Sequence, residues 1–230
     1  MKKGKYGLDA PAVVIAYITS GILLSLIGYF NFSSESWLFY LGALCFVIGF
    51  YMIYSSKIGK YKMREKIIQR LSLNGEELSL DVGCGRGLML HGVAAQLNSG
   101  KAYGIDIWKI KDQSGNTLDA VMQNAKIEGT ESKVEVINSD MRNLPFADEY
   151  FDVIVSSLAI HNLRNNAERK KALLEITRVA KKGCKLAILD IAYIKYYKNI
   201  LVNQGFVIEY IDKHPFQIFP PCKVLYAKKK

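Results

Sequence analysis

Leu80-Asp81-Val82-Gly83-Cys84-Gly85-Arg86-Gly87 sets an acid directly ahead of three alternating glycines. Glu77 to Leu80 reads as a buried strand, and Leu88 to Leu97 reads as a helix. Glycine lets the chain turn sharply at a strand end, and lets a ligand lie against bare backbone. The stretch therefore predicts a nucleotide-type pocket at a strand-to-helix turn. A dinucleotide fingerprint spaces its glycines Gly-x-Gly-x-x-Gly, which opens a helix N-terminus to a pyrophosphate. Here the third glycine comes one residue early and Leu88 fills the expected place.

Further along, Lys101 to Asp106 reads as a second strand ending in an acid, whose carboxylate can accept hydrogen bonds from both hydroxyls of a ribose. Asn138-Ser139-Asp140-Met141 is followed by Leu144-Pro145-Phe146, Phe151 to Ser157 reads as a fourth strand, and Leu186 to Asp190 as part of a fifth. In this order, from about residue 77 to the end of the chain, the segments resemble the class I S-adenosylmethionine-dependent methyltransferases. That resemblance implies an α/β, Rossmann-like fold with a seven-stranded sheet whose last strand inserts antiparallel beside the fifth. It implies S-adenosylmethionine as co-substrate, with Asp81, Gly83, Gly85 and Gly87 at its methionine end and Asp106 at its ribose. Asp140 and Met141 fall at its adenine, Ile107 against the adenine face, and Ser156 at the carboxyl end of the fourth strand.

The coarse pattern agrees with alternating strands and helices. A helix is expected over Ser114–Ile127, a strand at Lys133–Ile137, a strand at Asp152–Ser156 and a helix over Ala167–Val179. A strand at Lys185–Ile191, a helix over Ile194–Asn203, and strands at Phe206–Ile211 and Val224–Ala227 complete it. Such alternation predicts a parallel sheet with helices on both faces and a ligand beyond the strands' carboxyl ends.

His161, in Leu158-Ala159-Ile160-His161-Asn162-Leu163, sits just past the fourth strand, and of three histidines it is the best-placed candidate general base. A loop-shaping role is the alternative. Asn162 and Arg164 are weaker candidates for substrate contact, and Tyr193, Tyr196, Tyr197 and Asp190 read equally well as structural. Methyltransferases of DNA amines or protein glutamine commonly carry Asn/Asp-Pro-Pro-Tyr/Phe after strand four. This chain has Ser-Ser-Leu-Ala there. Its Leu-Pro-Phe and Ser-Ser-Leu-Ala-Ile-His-Asn-Leu stretches are similar to the small-molecule group that includes quinone C-methyltransferases.

The N-terminus carries a second signal. Pro11–Phe30 and Trp37–Tyr54 contain no charged residue, and each is about as long as a helix needs to cross a ~30 Å hydrocarbon core. The first is too long for the apolar middle of a signal peptide, and a second span follows at once. Neither shows a polar face for water. Gly21, Ser25 and Gly28 are placed to let the first span pack closely near Gly42 and Gly49 of the second. Lys2, Lys3 and Lys5 precede the pair and Lys57, Lys60, Lys62, Arg64 and Lys66 follow it, whereas the loop Asn31–Ser36 carries only Glu35. The positive-inside bias then places both termini and the catalytic domain in the cytoplasm. The expected organisation is a membrane hairpin over 1–56 and a methyltransferase domain over 57–230, led by a basic helix at 57–73. That helix either packs on the sheet or lies on the bilayer.

Nearly all of the net charge of +10 lies beyond residue 56, and an anionic lipid surface is the economical partner for it. No base-reading motif accompanies the charge, so nucleic acid is not expected as a partner. Cys45, Cys84, Cys184 and Cys222 form no Cys-x-x-Cys pair, so they predict buried thiols in a reducing compartment and no metal framework. The short connections after strands four and five leave no room for a lid domain, so residues 57–73, the loop around Asp212 to Pro221 and the membrane face are expected to cover the site. The expected substrate is accordingly a small hydrophobic or membrane-associated molecule, such as a quinone, a lipid, or an apolar thiol or phenol. A protein methyltransferase acting on a membrane protein, and a non-catalytic cofactor-binding scaffold, are the alternatives.

Overall fold

The computed structural model describes residues 4–30, 36–108, 117–214 and 216–230. Two long apolar helices, α1 (Pro11–Phe30) and α2 (Ser36–Tyr54), come first. A π-helical turn over Ser55–Gly59 joins α2 to α3 (Lys60–Leu71) without a break, so one helical run extends from Trp37 to Leu71. β1 (Leu78–Val82), α4 (Leu88–Ala94), β2 (Lys101–Asp106), α5 (Leu118–Glu128) and β3 (Val134–Asn138) follow. The chain then runs through β4 (Phe151–Ser157), α6 (Asn166–Val179), β5 (Ala180–Asp190), α7 (Ile194–Asn203), β6 (Phe206–His214) and β7 (Cys222–Lys229).

The seven strands form one sheet in the order β3-β2-β1-β4-β5-β7-β6. β1 to β5 pair in parallel, and β7 inserts antiparallel between β5 and β6. The chain order reverses direction between β1 and β4, which opens a crevice at their carboxyl ends. Apolar side chains cover both faces, as the alternating pattern requires. Met63, Ile67 and Leu71 of α3 with Leu90, Val93 and Val121 fill one side. Leu173, Ile176, Tyr197 and Leu201 of α6 and α7 fill the other.

Several expected boundaries move. β5 begins five residues earlier than the sequence pattern shows, because its register slips between Phe151 and Val153 and Gly183 adopts a left-handed φ of 83°. That irregular entry carries the exposed Lys182 and Gly183, which hide the strand in the sequence. β6 runs on to His214, into the stretch expected as a loop. α5 starts at Leu118, where the Thr117 hydroxyl caps the amide of Ala120 at 3.2 Å. The start expected for it at Ser114 lies outside the described residues, as do Lys2, Lys3 and Glu35.

α1 and α2 form a close antiparallel hairpin. A Cβ on Gly42 would lie 2.9 Å from the Gly21 carbonyl oxygen and would collide with Ser25 Oγ, and one on Gly28 would lie 2.7 Å from Phe39 N. Small residues thus set the helix separation, as anticipated. Both helices are long and apolar enough to cross a membrane. Leu23, Phe30, Tyr40 and Phe50 are each more than half exposed, so the sheet does not shelter these helices as it would a core helix. The basic helix takes the packing role: Met63, Ile67, Ile68 and Leu71 are buried on the sheet, and Lys60 and Arg64 are buried with them.

Candidate active site

The turn after β1 is built by backbone. Gly83 N and Cys84 N both donate to the Ile105 carbonyl, at 2.9 and 3.0 Å, which folds the loop over the end of β2. Gly83 has φ 74°, a left-handed value, and a Cβ there would collide with the Ala159 methyl group. Only glycine lets the loop and the segment after β4 approach so closely. Gly87 starts α4 with φ 85°, and a Cβ on it would press against His91 Nε2 at 2.5 Å. It serves helix packing and does not line the cavity described below.

Asp81 is 3% exposed. Its Oδ2 accepts the Leu90 amide at 2.9 Å, while Oδ1 is buried with no partner among the described residues. Burial pushes its carboxyl up to about 7; the Leu90 amide opposes the shift and the Asp106 charge adds to it. An acid held in that condition is suited to a cationic ligand, whose charge would restore ionisation. Asp106 accepts the Gly85 amide at 2.8 Å and the Trp108 amide at 2.7 Å, which orients its carboxylate.

A cavity of about 910 Å³ joins these groups. Asp81, Gly83, Gly85, Asp106, Ile107, Asp140, Met141 and His161 all line it, so eight of the ten sequence-predicted site residues come together. Asp140 is gripped by Arg142, whose Nε lies 2.9 Å from Oδ1 and whose terminal nitrogen lies 2.5 Å from Oδ2. Met141 Cε reaches to 3.4 Å of the position a Cβ on Gly83 would occupy. Ser156, like Gly87, does not line the cavity: it is 2% exposed, and its hydroxyl donates to the Val82 carbonyl at 2.9 Å, tying β4 to β1. Alternation along the strand turns Ser156 inward and presents Ser157 to the cavity.

His161 lies in a short 3-10 turn after β4. Its amide donates to Asp190 Oδ2 at 3.1 Å, and its ring Nδ1 lies 2.5 Å from Asp190 Oδ1, a charge contact not aligned as a hydrogen bond. Asp190 is fully buried, and its Oδ2 also accepts the Tyr197 hydroxyl at 3.1 Å. Burial, and then the Asp190 charge, push the Tyr197 phenol well up, so it stays a proton donor.

The other wall includes parts of 57–73 and of the loop at Asp212–Pro221, both expected to cover the site, together with a segment ahead of α1 that the sequence does not announce. Residues 4–10 fold back as a strap over the cavity and contribute Tyr6, Asp9 and Ala10 to it. Gly4 N and the Tyr6 hydroxyl donate to Glu128 Oε1 at 2.8 and 2.9 Å. Arg64 pairs with the same buried carboxylate at 2.9 Å. Lys60 Nζ donates to the carbonyls of Tyr6 and Gly7 and meets Asp9 at 3.1 Å. The segment 218–220 closes above, where Phe219 N donates to Ser55 Oγ at 2.8 Å. Gly59 in the π-helical turn leaves room for the Gln217 carbonyl, which a Cβ would strike. These partners lie about 50 to 160 residues apart, so no local pattern announces them.

Three of the four cysteines follow expectation as buried thiols, one of them, Cys84, at the cavity, while Cys45 in α2 is half-buried. Cys84, Cys184 and Cys222 are buried and free, and burial raises the Cys84 thiol well above its usual range. Among the described residues no cluster of three or more His, Cys, Asp or Glu could hold a metal ion.

Comparison with known proteins accords with this geometry. Residues 80–188 match the family described as a methyltransferase domain. The chain is 29% identical over 163 residues to Methyltransferase GfsG of Streptomyces halstedii, covering 67% of this chain and 55% of that protein. It is 28% identical over 135 residues to the 2-phytyl-1,4-naphtoquinone methyltransferase of Trichormus variabilis, covering 58% of this chain and 55% of that one. Among solved structures, a SAM dependent methyltransferase from Aquifex aeolicus superposes with a TM-score of 0.59 at 24% identity, over 73% of this chain and 89% of that one. The chain spans about half the length of these curated relatives. With the sheet order and the glycine loop, the matches mark residues 80–188 as a methyltransferase domain similar to those of the class I S-adenosylmethionine-dependent enzymes. S-adenosylmethionine is the co-substrate of that class. The orphaned, buried Asp81 Oδ1 and the glycine-floored cavity fit its cationic methionine end.

Proposed function

We propose that this chain transfers a methyl group from S-adenosylmethionine to a small hydrophobic molecule carried in a membrane. One observation carries the reading. The cavity that holds Asp81 and Asp106 extends to Val13 in the first turn of α1 and Met52 in the last turn of α2. Its far end is thus roofed by the two membrane-length helices and by Ile218, Phe219 and Pro220. A pocket of this size exceeds what one small polar ligand needs, and its apolar end suits a tail lying in lipid.

In this reading α1 and α2 are a membrane hairpin over residues 1–56. The methyltransferase domain over 57–230 lies on the cytoplasmic side, next to an anionic bilayer surface. Asp81, Gly83 and Gly85 hold the methionine end of the donor, Asp106 its ribose, and Ile107, Asp140 and Met141 its adenine. Asp140 reaches the adenine only as far as its pairing with Arg142 permits. Bound there, the donor supplies an electrophilic methyl group, so the protein's task is mainly in-line placement of the acceptor. The quinone methyltransferase among the relatives supports an acceptor of that chemical type.

The test uses full-length protein in its native membranes with methyl-labelled donor. Label in the organic extract is expected, and Val13→Glu should reduce it at least tenfold while donor binding is retained. Label confined to the protein pellet would instead make this a protein methyltransferase acting on a membrane protein. Donor binding with no label in any fraction would leave a non-catalytic cofactor-binding scaffold.

A further inference from the structure

We infer that the loop at residues 216–220 is a third membrane contact of this chain, with Phe216 entering the interfacial layer of the bilayer leaflet next to Pro11 and Tyr54. The inference rests on the proposed membrane reading of α1 and α2, and it adds a part of the sheet domain to the lipid-facing surface. Phe216 is 81% exposed. It does not line the cavity, although Ile218, Phe219 and Pro220 of the same loop do. The loop is therefore two-sided. One side roofs the cavity, and the other holds out a phenyl ring whose contact with water is unfavourable.

Contacts fix the level of the loop along the hairpin. Phe219 N donates to Ser55 Oγ at 2.8 Å, and the Phe219 ring meets the Tyr51 ring edge-on with 5.6 Å between centroids. The Gln217 carbonyl fills the space left at Gly59, so its neighbour Phe216 stands beside the turn that carries Ile58. Ile58 and Tyr54 are exposed as well. From Leu44, in the middle of α2, to Tyr54 is about 15 Å of helix, half of a ~30 Å hydrocarbon core. Ile58 and Phe216 thus lie within about a turn of helix of the hydrocarbon edge, at the depth of the aromatic belts of membrane proteins.

Charge at the base of the loop matches a lipid surface. Lys213 and Lys223 are direct partners across β6 and β7, both exposed, and Lys57 is exposed on the adjoining turn. Like charges directly opposite on a strand pair repel. Asp212, beside Lys213 in the chain, pairs instead with Lys66 at 3.0 Å. Anionic headgroups supply the missing countercharge. A partner protein could also cover a phenyl ring, but this ring continues the exposed apolar surface of the two membrane-length helices, and one lipid surface covers all of it. The apolar end of the cavity then lies at bilayer depth, and an acceptor carried in lipid reaches it without crossing water.

The experiment attaches a spin label at Phe216→Cys, Leu44→Cys or Lys182→Cys, one at a time, in full-length protein carrying Cys45→Ala. The other three cysteines are buried. Leu44 is exposed on α2, and Lys182 is exposed at the amino end of β5, away from the cavity. All three sites are exposed, so labelling leaves the packing intact. The protein is held in nanodiscs of phosphatidylcholine and phosphatidylglycerol in equal parts, and access of oxygen and of an aqueous nickel chelate to each label is read by electron paramagnetic resonance. The label at 216 should be about fivefold less accessible to the chelate than the label at 182, because a polar solute is costly to bring into apolar surroundings. It should remain open to oxygen and lie shallower than the label at 44. Nanodiscs of phosphatidylcholine alone should raise chelate access at 216 about twofold; no change would overturn the part given to Lys57, Lys213 and Lys223. Equal chelate access at 216 and 182, with the label at 44 in lipid, overturns the inference and leaves the hairpin standing. Free chelate access at both 216 and 44 overturns the membrane reading itself. Protection of 216 from chelate and oxygen alike overturns lipid as the partner and puts a protein surface, a second copy or another chain, in its place.

Discussion

The two ends of the cavity are made in different ways. The end proposed for the donor is assembled from the carboxyl ends of adjacent parallel strands, so Asp81, Gly83 and Asp106 are placed by a few local turns and short backbone bonds. The end proposed for the acceptor is assembled from a strap at residues 4–10, the junction of α2 and α3, and residues 218–220, which meet only in the folded chain. The first depends on strand register, the second on a few buried charges and hydrogen bonds that tie distant segments together. The chemistry common to the class sits where the geometry is local, and the features peculiar to this chain sit where it is not.

The largest expected effect strikes the tie between the ends. Glu128 is buried with a fully shielded side chain, and Arg64 is its charged partner. Arg64→Met strands that carboxylate and should destabilise the domain by about 3–5 kcal/mol, read by chemical denaturation. If the loss is under 1 kcal/mol, the Gly4 and Tyr6 bonds alone hold Glu128, and the two ends are less coupled than the geometry indicates.

A smaller effect addresses the donor end alone. In the free protein Asp81 carries a proton up to about pH 7, and a cationic ligand beside it must drive that proton off. Apparent donor affinity should therefore weaken about tenfold from pH 8 to pH 6. Calorimetry in buffers of different ionisation enthalpy should show proton release at the lower pH. Affinity independent of pH over that range would mean that the cationic end does not lie against Asp81.

The smallest effect separates scaffold from site. Ser156→Ala removes the bond to the Val82 carbonyl and should cost about 1 kcal/mol of stability, with donor affinity unchanged. A tenfold loss of affinity would return Ser156 to the donor site and break the division drawn here between inward and cavity-facing residues of β4.

Much of the cavity's end at the strands is readable from the chain because its signals are short-range. An acid, a glycine turn and a helix start fall within ten residues at Asp81–Leu90, and the strand patterns identify the other carboxyl ends. Ser156 was expected at the cavity and lies beside it instead. Residue type and position near a strand end do not say which way a side chain points, and one step along the chain reverses it. His161 was legible as a polar residue past β4, but its partner Asp190 was not, because twenty-nine residues and a whole helix separate them. The basic count over 57–73 also misled in part. Lys60 and Arg64 count among the basic residues that follow the second span, yet both are buried and paired with residues of the strap and of α5.

The sequence alone determined the sheet, its alternation with helices, the glycine turn and the two membrane-length helices, because periodicity and backbone permissiveness are local properties. Only the tertiary structure decided that the segment ahead of α1 closes over the donor cavity, that α2 runs unbroken into α3, and that Asp190 stands behind His161. Those facts depend on which buried charges and donors find partners across the chain, and no local pattern encodes that choice.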